Sequence, residues 1–308
     1  MKDTKFTRRR FIGLASAISA VALFPASFFK KISAQTLAAT SEIIKVHGND
    51  PYRSTIKAVD ALGGMSEFVK KGNKVGLLIN GNFSNPGTYT NPDISLAVLK
   101  MCFDAGAGEV MLIRADREDI WQKSAYYDSH MDLLEKTTRS AGNKVYSIEK
   151  GIVLKEAEMI RELFELDTLI NIPVAKNHDA AYLTCCLKNM MGLCARSTNV
   201  LFHSPDGSPR TDNNRLAHCI ADVNTVRQPD LSIVDATTFL VTNGPHGPGE
   251  VMEAGEVLAG TDPVALDAFC AGYHDYEPGM VISTEYAANH KLGESDLERI
   301  SVKEINLT

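Results

Sequence analysis

Four short apolar runs, at residues 74–80 (KVGLLIN), 109–115, 169–172 and 231–236 (LSIVDA), constrain this chain more than any other feature. They are continuous rather than alternating, which is the pattern of strands buried on both faces. Segments of helical length separate them. Residues 91–106 carry Pro92 in a first turn, Ile94, Val98, Met101 and Cys102 on one face, and Gly106 as a stop. Further helices are expected at 52–62, 128–139, 156–166, 214–227, 263–272 and 281–290, with Asp262 capping the 263–272 helix. Further strands are expected at 42–48, 144–148, 257–260 and 300–306, and a loop at 196–213. Alternation of this kind predicts an α/β fold, a mainly parallel or mixed sheet with helices on both faces. No internal repeat, low-complexity tract or linker interrupts it, so residues 41–308 are expected to form a single α/β domain.

Residues 1–40 stand outside that pattern and read as a signal peptide. Thr7-Arg8-Arg9-Arg10-Phe11-Ile12 matches the twin-arginine export pattern, and an Ala/Ser-rich apolar run and Lys30-Lys31 follow it. Gly13, Ser16, Ser19, Pro25 and Ser27 make that run weak as a spanning helix, so a membrane is a partner only if the signal stays uncleaved. The expected location is the periplasm. The expected export partner is the twin-arginine machinery, which carries proteins already folded and often loaded with a cofactor. Residues 1–34 hold seven Lys/Arg and one Asp, which against a net charge of −6 leaves −12 on the rest. An acidic body argues against nucleic acid and anionic membrane surfaces as partners. An anionic small molecule must then be held by a local cluster of positive groups.

Residues 171–192 (NIPVAKNHDAAYLTCCLKNMMG) supply such a cluster. A strand end is followed by a turn with Lys176, Asn177 and His178, then by a segment of helical composition holding Thr184, Cys185, Cys186, Lys188 and Asn189. The end of a strand beside the start of a helix is the usual ligand position in α/β folds. Asp179 is placed to cap that helix, whose free N–H groups would favour an anion beside Lys176 and His178. Lys176, His178 and Lys188 are the candidate catalytic residues. Ten to twelve residues of straight helix would put Lys188 and Asn189 about 15–18 Å away at 1.5 Å per residue. The pocket is therefore elongated, or the segment is not a simple helix. Asn80, Asn82, Asn189, His203, His246 and Asp267 are candidate ligand-binding residues, with Arg210 beside His203. His246 sits in a GPHGPG loop whose glycines would let the backbone approach a ligand closely. Asp235 ends the LSIVDA strand at the same sheet edge as Lys176 if the two strands are parallel, and with His178 it forms a candidate divalent-metal pair. Each has a structural alternative: Lys188 can simply complement a helix dipole, and Asp267 can be a surface carboxylate.

The order of motifs resembles the domain-of-unknown-function family 362 over nearly all of the chain from about residue 43. The resemblance rests on P-x-x-K-x-H at Pro173, Lys176 and His178, on L-K-N-x-x-G from Leu187 to Gly192, and on D-P-V-A-L-D from Asp262 to Asp267. It implies little chemistry, since many members are labelled iron–sulfur proteins because of a ferredoxin-like insert. A ferredoxin cluster needs closely spaced thiolates. Cys102, Cys185, Cys186, Cys194, Cys219 and Cys270 include no C-x-x-C, so that insert is absent and such a cluster is not expected. The family also tends to place a Lys before the first-strand Asn, where this chain has Leu78-Ile79-Asn80. The cysteines themselves fit buried thiols, one disulfide, or a metal site involving Cys185, Cys186 or Cys194.

Three functions remain open at this point. The first is an exported acid–base or metal-assisted enzyme acting on a small anionic ligand through the Lys/His/Asp residues. The second is a redox protein with a bound cofactor, although no G-x-G-x-x-G or C-x-x-C-H is present to name it. The third is a non-catalytic periplasmic binding protein.

Overall fold

The computed structural model of the chain describes residues 41–114, 118–205, 212–277 and 279–308. Residues 1–40, expected to be a signal peptide, and Arg210 lie outside the described residues. The strands are β1 (Ser41–His47), β2 (Lys74–Ile79), β3 (Glu109–Ile113), β4 (Asn143–Ser147), β5 (Glu156–Ile160), β6 (Thr168–Ile172), β7 (Lys176–His178), β8 (Tyr182–Thr184), β9 (Leu231–Leu240), β10 (Val251–Gly260) and β11 (Ile300–Asn306). Seven of them form one sheet in the order β11-β1-β10-β9-β6-β2-β3. Neighbours are parallel except at β10, which runs against both β1 and β9. The sheet is mixed and largely parallel, with helices on both faces.

Successive strand residues feed opposite layers. On β2, Leu77 and Ile79 join the core under the helices Pro51–Ala61 and Pro92–Asp104, while Leu78 joins the core under Asn213–Asn224. Asn91 and Asp262 cap their helices from side-chain oxygens, the latter as expected, accepting from Val264 N–H and Ala265 N–H at 2.9 Å each. The parallel strands β2, β3 and β6 all end at one edge of the sheet. That edge is where side chains can converge outside strand carboxyl ends.

Four local expectations are corrected. The helix expected at 156–166 begins as β5, which pairs with β4. Its Glu-Ala-Glu-Met composition favours helix, but Ala157 and Met159 are buried and alternate with Glu156 and Glu158, and tertiary pairing wins. The loop expected at 196–213 contains the helix Arg196–His203, with Thr198 and Phe202 buried. The strands expected at 231–236 and 257–260 each run on as the long pair β9 and β10, with a bulge between Glu253 and Glu256. The polar residues there are specified by antiparallel pairing rather than by their own hydropathy. The helix expected after His178 is replaced by the hairpin of β7 and β8, so Asp179 sits in a hairpin turn and caps nothing.

Candidate active site

The hairpin builds the site. Its register sets Lys176 opposite Thr184 and His178 opposite Tyr182. Lys176, His178 and Thr184 face a cavity of about 470 Å³. After Thr184 the backbone bends at Cys185 and enters the short helix Cys186–Asn189, which returns Lys188 and Asn189 to the same cavity. The segment is therefore not a simple helix, and the span that a straight helix would impose disappears. Asp267 holds this return: its two carboxylate oxygens accept from Cys186 N–H at 2.7 Å and Leu187 N–H at 3.1 Å. Across the cavity mouth, the loop carrying His246 is seated on the hairpin. Gly244 N–H donates to Asn177 Oδ1 at 2.8 Å, and Asp179 N–H donates to Gly244 O at 3.2 Å.

The floor is a chain of mutually oriented amides. Lys176 Nζ donates to Asn80 Oδ1 at 3.3 Å and to Thr88 O. Asn80 Nδ2 donates to Asn189 Oδ1 at 3.1 Å, and Asn189 Nδ2 donates to Asn171 Oδ1 at 2.7 Å and to Leu78 O at 3.2 Å. Asn171 Nδ2 closes the chain on Cys186 O at 2.9 Å. Every acceptor offered to Lys176 among the described residues is uncharged, though its side chain is 1% exposed. The Phe83 ring lies 4.8 Å from Nζ and adds a cation–π contact. Burial, helped by the charge of Lys188, lowers the Lys176 pKa to about 7. Burial alone lowers Lys188 to about 8; it faces solvent only through the cavity, and its Nζ lies 3.2 Å from Met191 Sδ.

His178 is held as a neutral ring. Its Nδ1 accepts from Ala180 N–H at 3.1 Å and Ala181 N–H at 3.2 Å, which leaves Nε2–H as the ring's donor. Burial, followed by the nearby charges of Lys188, His203, Lys176 and His246, pushes its pKa far below the usual imidazole range. His203 is shifted down as well, by burial and then by Lys188.

The structure thus brings together Lys176, His178, Lys188, Asn80 and Asn189 around the floor. Asn82, His203 and His246 line the same cavity nearer its mouth. Asp235 and Asp267 are not in its lining. β6 and β9 are parallel, with Val174 level with Asp235, but the Asp235 carboxylate accepts from Asn91 N–H at 2.7 Å, Thr237 N–H at 2.9 Å and Thr237 Oγ1 at 2.6 Å. A histidine that ligates a metal ordinarily donates from its other nitrogen, whereas Nδ1 of His178 accepts twice. The His178–Asp235 metal pair is therefore not formed. Arg114, Thr184, Arg196 and Asn199 also line the cavity. Of these, Arg114 was legible as the charged residue at a strand's carboxyl end, while Arg196 and Asn199 lie on the helix read as a loop.

A second polar cluster lies beneath the site. Cys185 Sγ and Cys186 Sγ are 4.0 Å apart, and with an Asp267 oxygen they fall within 4.8 Å of one another. Burial raises both thiols well above their usual pKa and Asp267 to about 7. These donors are close enough to share one divalent ion, provided the thiols lose their protons and Asp267 its backbone donors. No tetrahedral Cys/His set of the iron–sulfur type occurs among the described residues. All six cysteines are buried and free.

A family profile described as a domain of unknown function (DUF362) matches residues 74–272. A thylakoid-associated protein of Synechocystis sp. is 26% identical over 241 residues, covering 76% of this chain and 73% of that protein. A lactate racemase apoprotein from Thermoanaerobacterium thermosaccharolyticum superposes with a TM-score of 0.46 at 10% identity, over 75% of this chain and 56% of its own. A protein from Thermotoga maritima gives 0.40 at 13% identity, over 79% and 60%. The chain thus spans less than two thirds of the length of either solved structure.

Proposed function

The chain belongs to the domain-of-unknown-function family 362, and from that premise we propose that it is an acid–base enzyme holding a small anionic ligand over Lys176, His178 and Lys188. One observation carries the reading: two lysines share a cavity floor, and the acceptors of both are uncharged. Buried ammonium groups without a counter-charge are costly, and a bound anion relieves that cost. Lys188 and His178 Nε2–H orient the anion by charge and by a directed donor. Lys176, fixed by Asn80 and Thr88 O and with its pKa near 7, moves the proton. The acidic body makes the cavity a local positive exception, which suits capture of an anion released into the periplasm. Arg8 and Arg9 direct the folded chain there through the twin-arginine machinery. No helix among the described residues is long and apolar enough to cross a membrane.

Titration calorimetry with small carboxylates checks the site. Lys188→Met and Lys176→Met are each expected to weaken binding at least about 10-fold, the worth of one charge-assisted hydrogen bond. Unchanged affinity in both variants would refute the reading. Binding without turnover of any bound acid would leave a non-catalytic periplasmic binding protein.

A further inference from the structure

The cavity holds more positive groups than one anionic group can use. Arg114, at the carboxyl end of β3, and Arg196, on the helix Arg196–His203, line it in addition to the two floor lysines. Among the described residues the only acid in the lining is Asp179, which is exposed in the hairpin turn. The arginines reach the cavity from the end of β3 and from the helix Arg196–His203, whereas the floor lysines come from the hairpin and the short helix Cys186–Asn189. Arg114 is held firmly in place. Its Nε donates to Gly192 O at 2.9 Å and its Nη2 to Cys194 O at 2.6 Å, and its backbone adopts φ 61, rare for a residue with a side chain. Two further polar atoms are buried without a partner among the described residues: Thr184 Oγ1 on the floor, in a residue 4% exposed, and Asn199 Oδ1 on the wall beside Arg196. Buried orphans of this kind are a cost that a ligand's own polar groups remove.

We infer that the ligand carries two anionic groups on a short backbone, one held by Lys176, Lys188, His178 and Thr184, the other by Arg114 and Arg196. A cavity of about 470 Å³ suits one such molecule. Arginine is the residue that recognises planar carboxylate or tetrahedral phosphate in a forked geometry, so both chemistries fit the second group. The inference rests on the anion reading of the floor and adds the second locus to it.

Calorimetry on the full chain at pH 7 with propionate, succinate and 3-phosphonopropionate tests it. Succinate or the phosphonate is expected to bind about 10–100-fold more tightly than propionate, the gain from one more charge-assisted group. Whichever binds more tightly identifies the second group as carboxylate or phosphoryl. Arg114→Gln and Arg196→Gln are expected to remove that advantage, so that succinate and the phosphonate bind no more tightly than propionate does to the same variant. Arg196 is exposed and has no partner among the described residues, so its variant carries the test if Arg114→Gln fails to fold. Equal binding of propionate and both diacids, or arginine variants that weaken all three alike, would overturn the second locus and leave the floor reading intact. Failure of all three to bind wild type, with binding equally absent in Lys188→Met, would overturn both.

Discussion

Lys176 is a buried cation whose energetic signature opposes its functional one. Its folded pKa is lowered to about 7, whereas the unfolded chain holds the proton up to the ordinary lysine range. Between those values the unfolded state binds more protons, so stability rises with pH across that window. Anion affinity runs the other way, because the charged lysines hold the ligand and lose their protons as pH rises past about 7 to 8. The expected outcome is a melting temperature that climbs from pH 7 to pH 9 while small-anion affinity falls. Lys176→Met should flatten both slopes and stabilise the ligand-free protein by about 1–4 kcal/mol, as replacing buried charge by apolar volume often does. A Met variant less stable than wild type at pH 7 would show that Lys176 is structural. That Lys176, His178 and Lys188 belong to one place was legible because polar residues crowded a strand's end. The tautomer of His178 was not, since it depends on the N–H groups of Ala180 and Ala181 once the turn has closed.

At the scale of elements, the site depends on a hairpin and a loop that fit face to face. A Cβ on Gly244 would stand 1.8 Å from Asn177 O and 2.4 Å from its carbonyl carbon, so the glycine is there for the neighbouring backbone rather than for a ligand. Gly244→Ala is expected to lift the loop from the hairpin, with a loss of about 1–3 kcal/mol or more in chemical unfolding and weaker anion binding as His246 moves. A variant with wild-type stability would show that the loop is only loosely seated. The GPHGPG run was read as a close approach to a ligand, whereas at Gly244 the surface approached is the hairpin backbone. Continuous apolar strands such as β2 and β9 declared themselves through their own residues. The ends of β9 and β10, and all of β5, did not, because pairing with a neighbour decided them against local preference. The helix Arg196–His203 was missed for the related reason that only Thr198 and Phe202 mark its buried face, and with it went Arg196 and Asn199.

For the whole molecule, the proposed amino-terminal address and the buried thiols make a joint demand. A chain that crosses a membrane already folded carries its cysteines into an oxidising compartment packed inside the protein. All six are buried here, and burial raises their pKa values, which suppresses the reactive thiolate. Protein recovered from the periplasm should therefore react with a thiol reagent at almost none of its cysteines while native. On unfolding under non-reducing conditions it should react at all six. A chain threaded unfolded would instead meet the oxidant with Cys185, Cys186 and Cys270 exposed and would return fewer than six. Replacing Arg8 and Arg9 by Lys separates the route from the compartment: the protein should then stay in the cytoplasm, with the same native protection and the same six thiols. Normal periplasmic arrival of that variant would remove the twin-arginine assignment. Fewer than six thiols from wild type alone would place the oxidation outside the cytoplasm and overturn the expectation that the thiols stay packed during and after export.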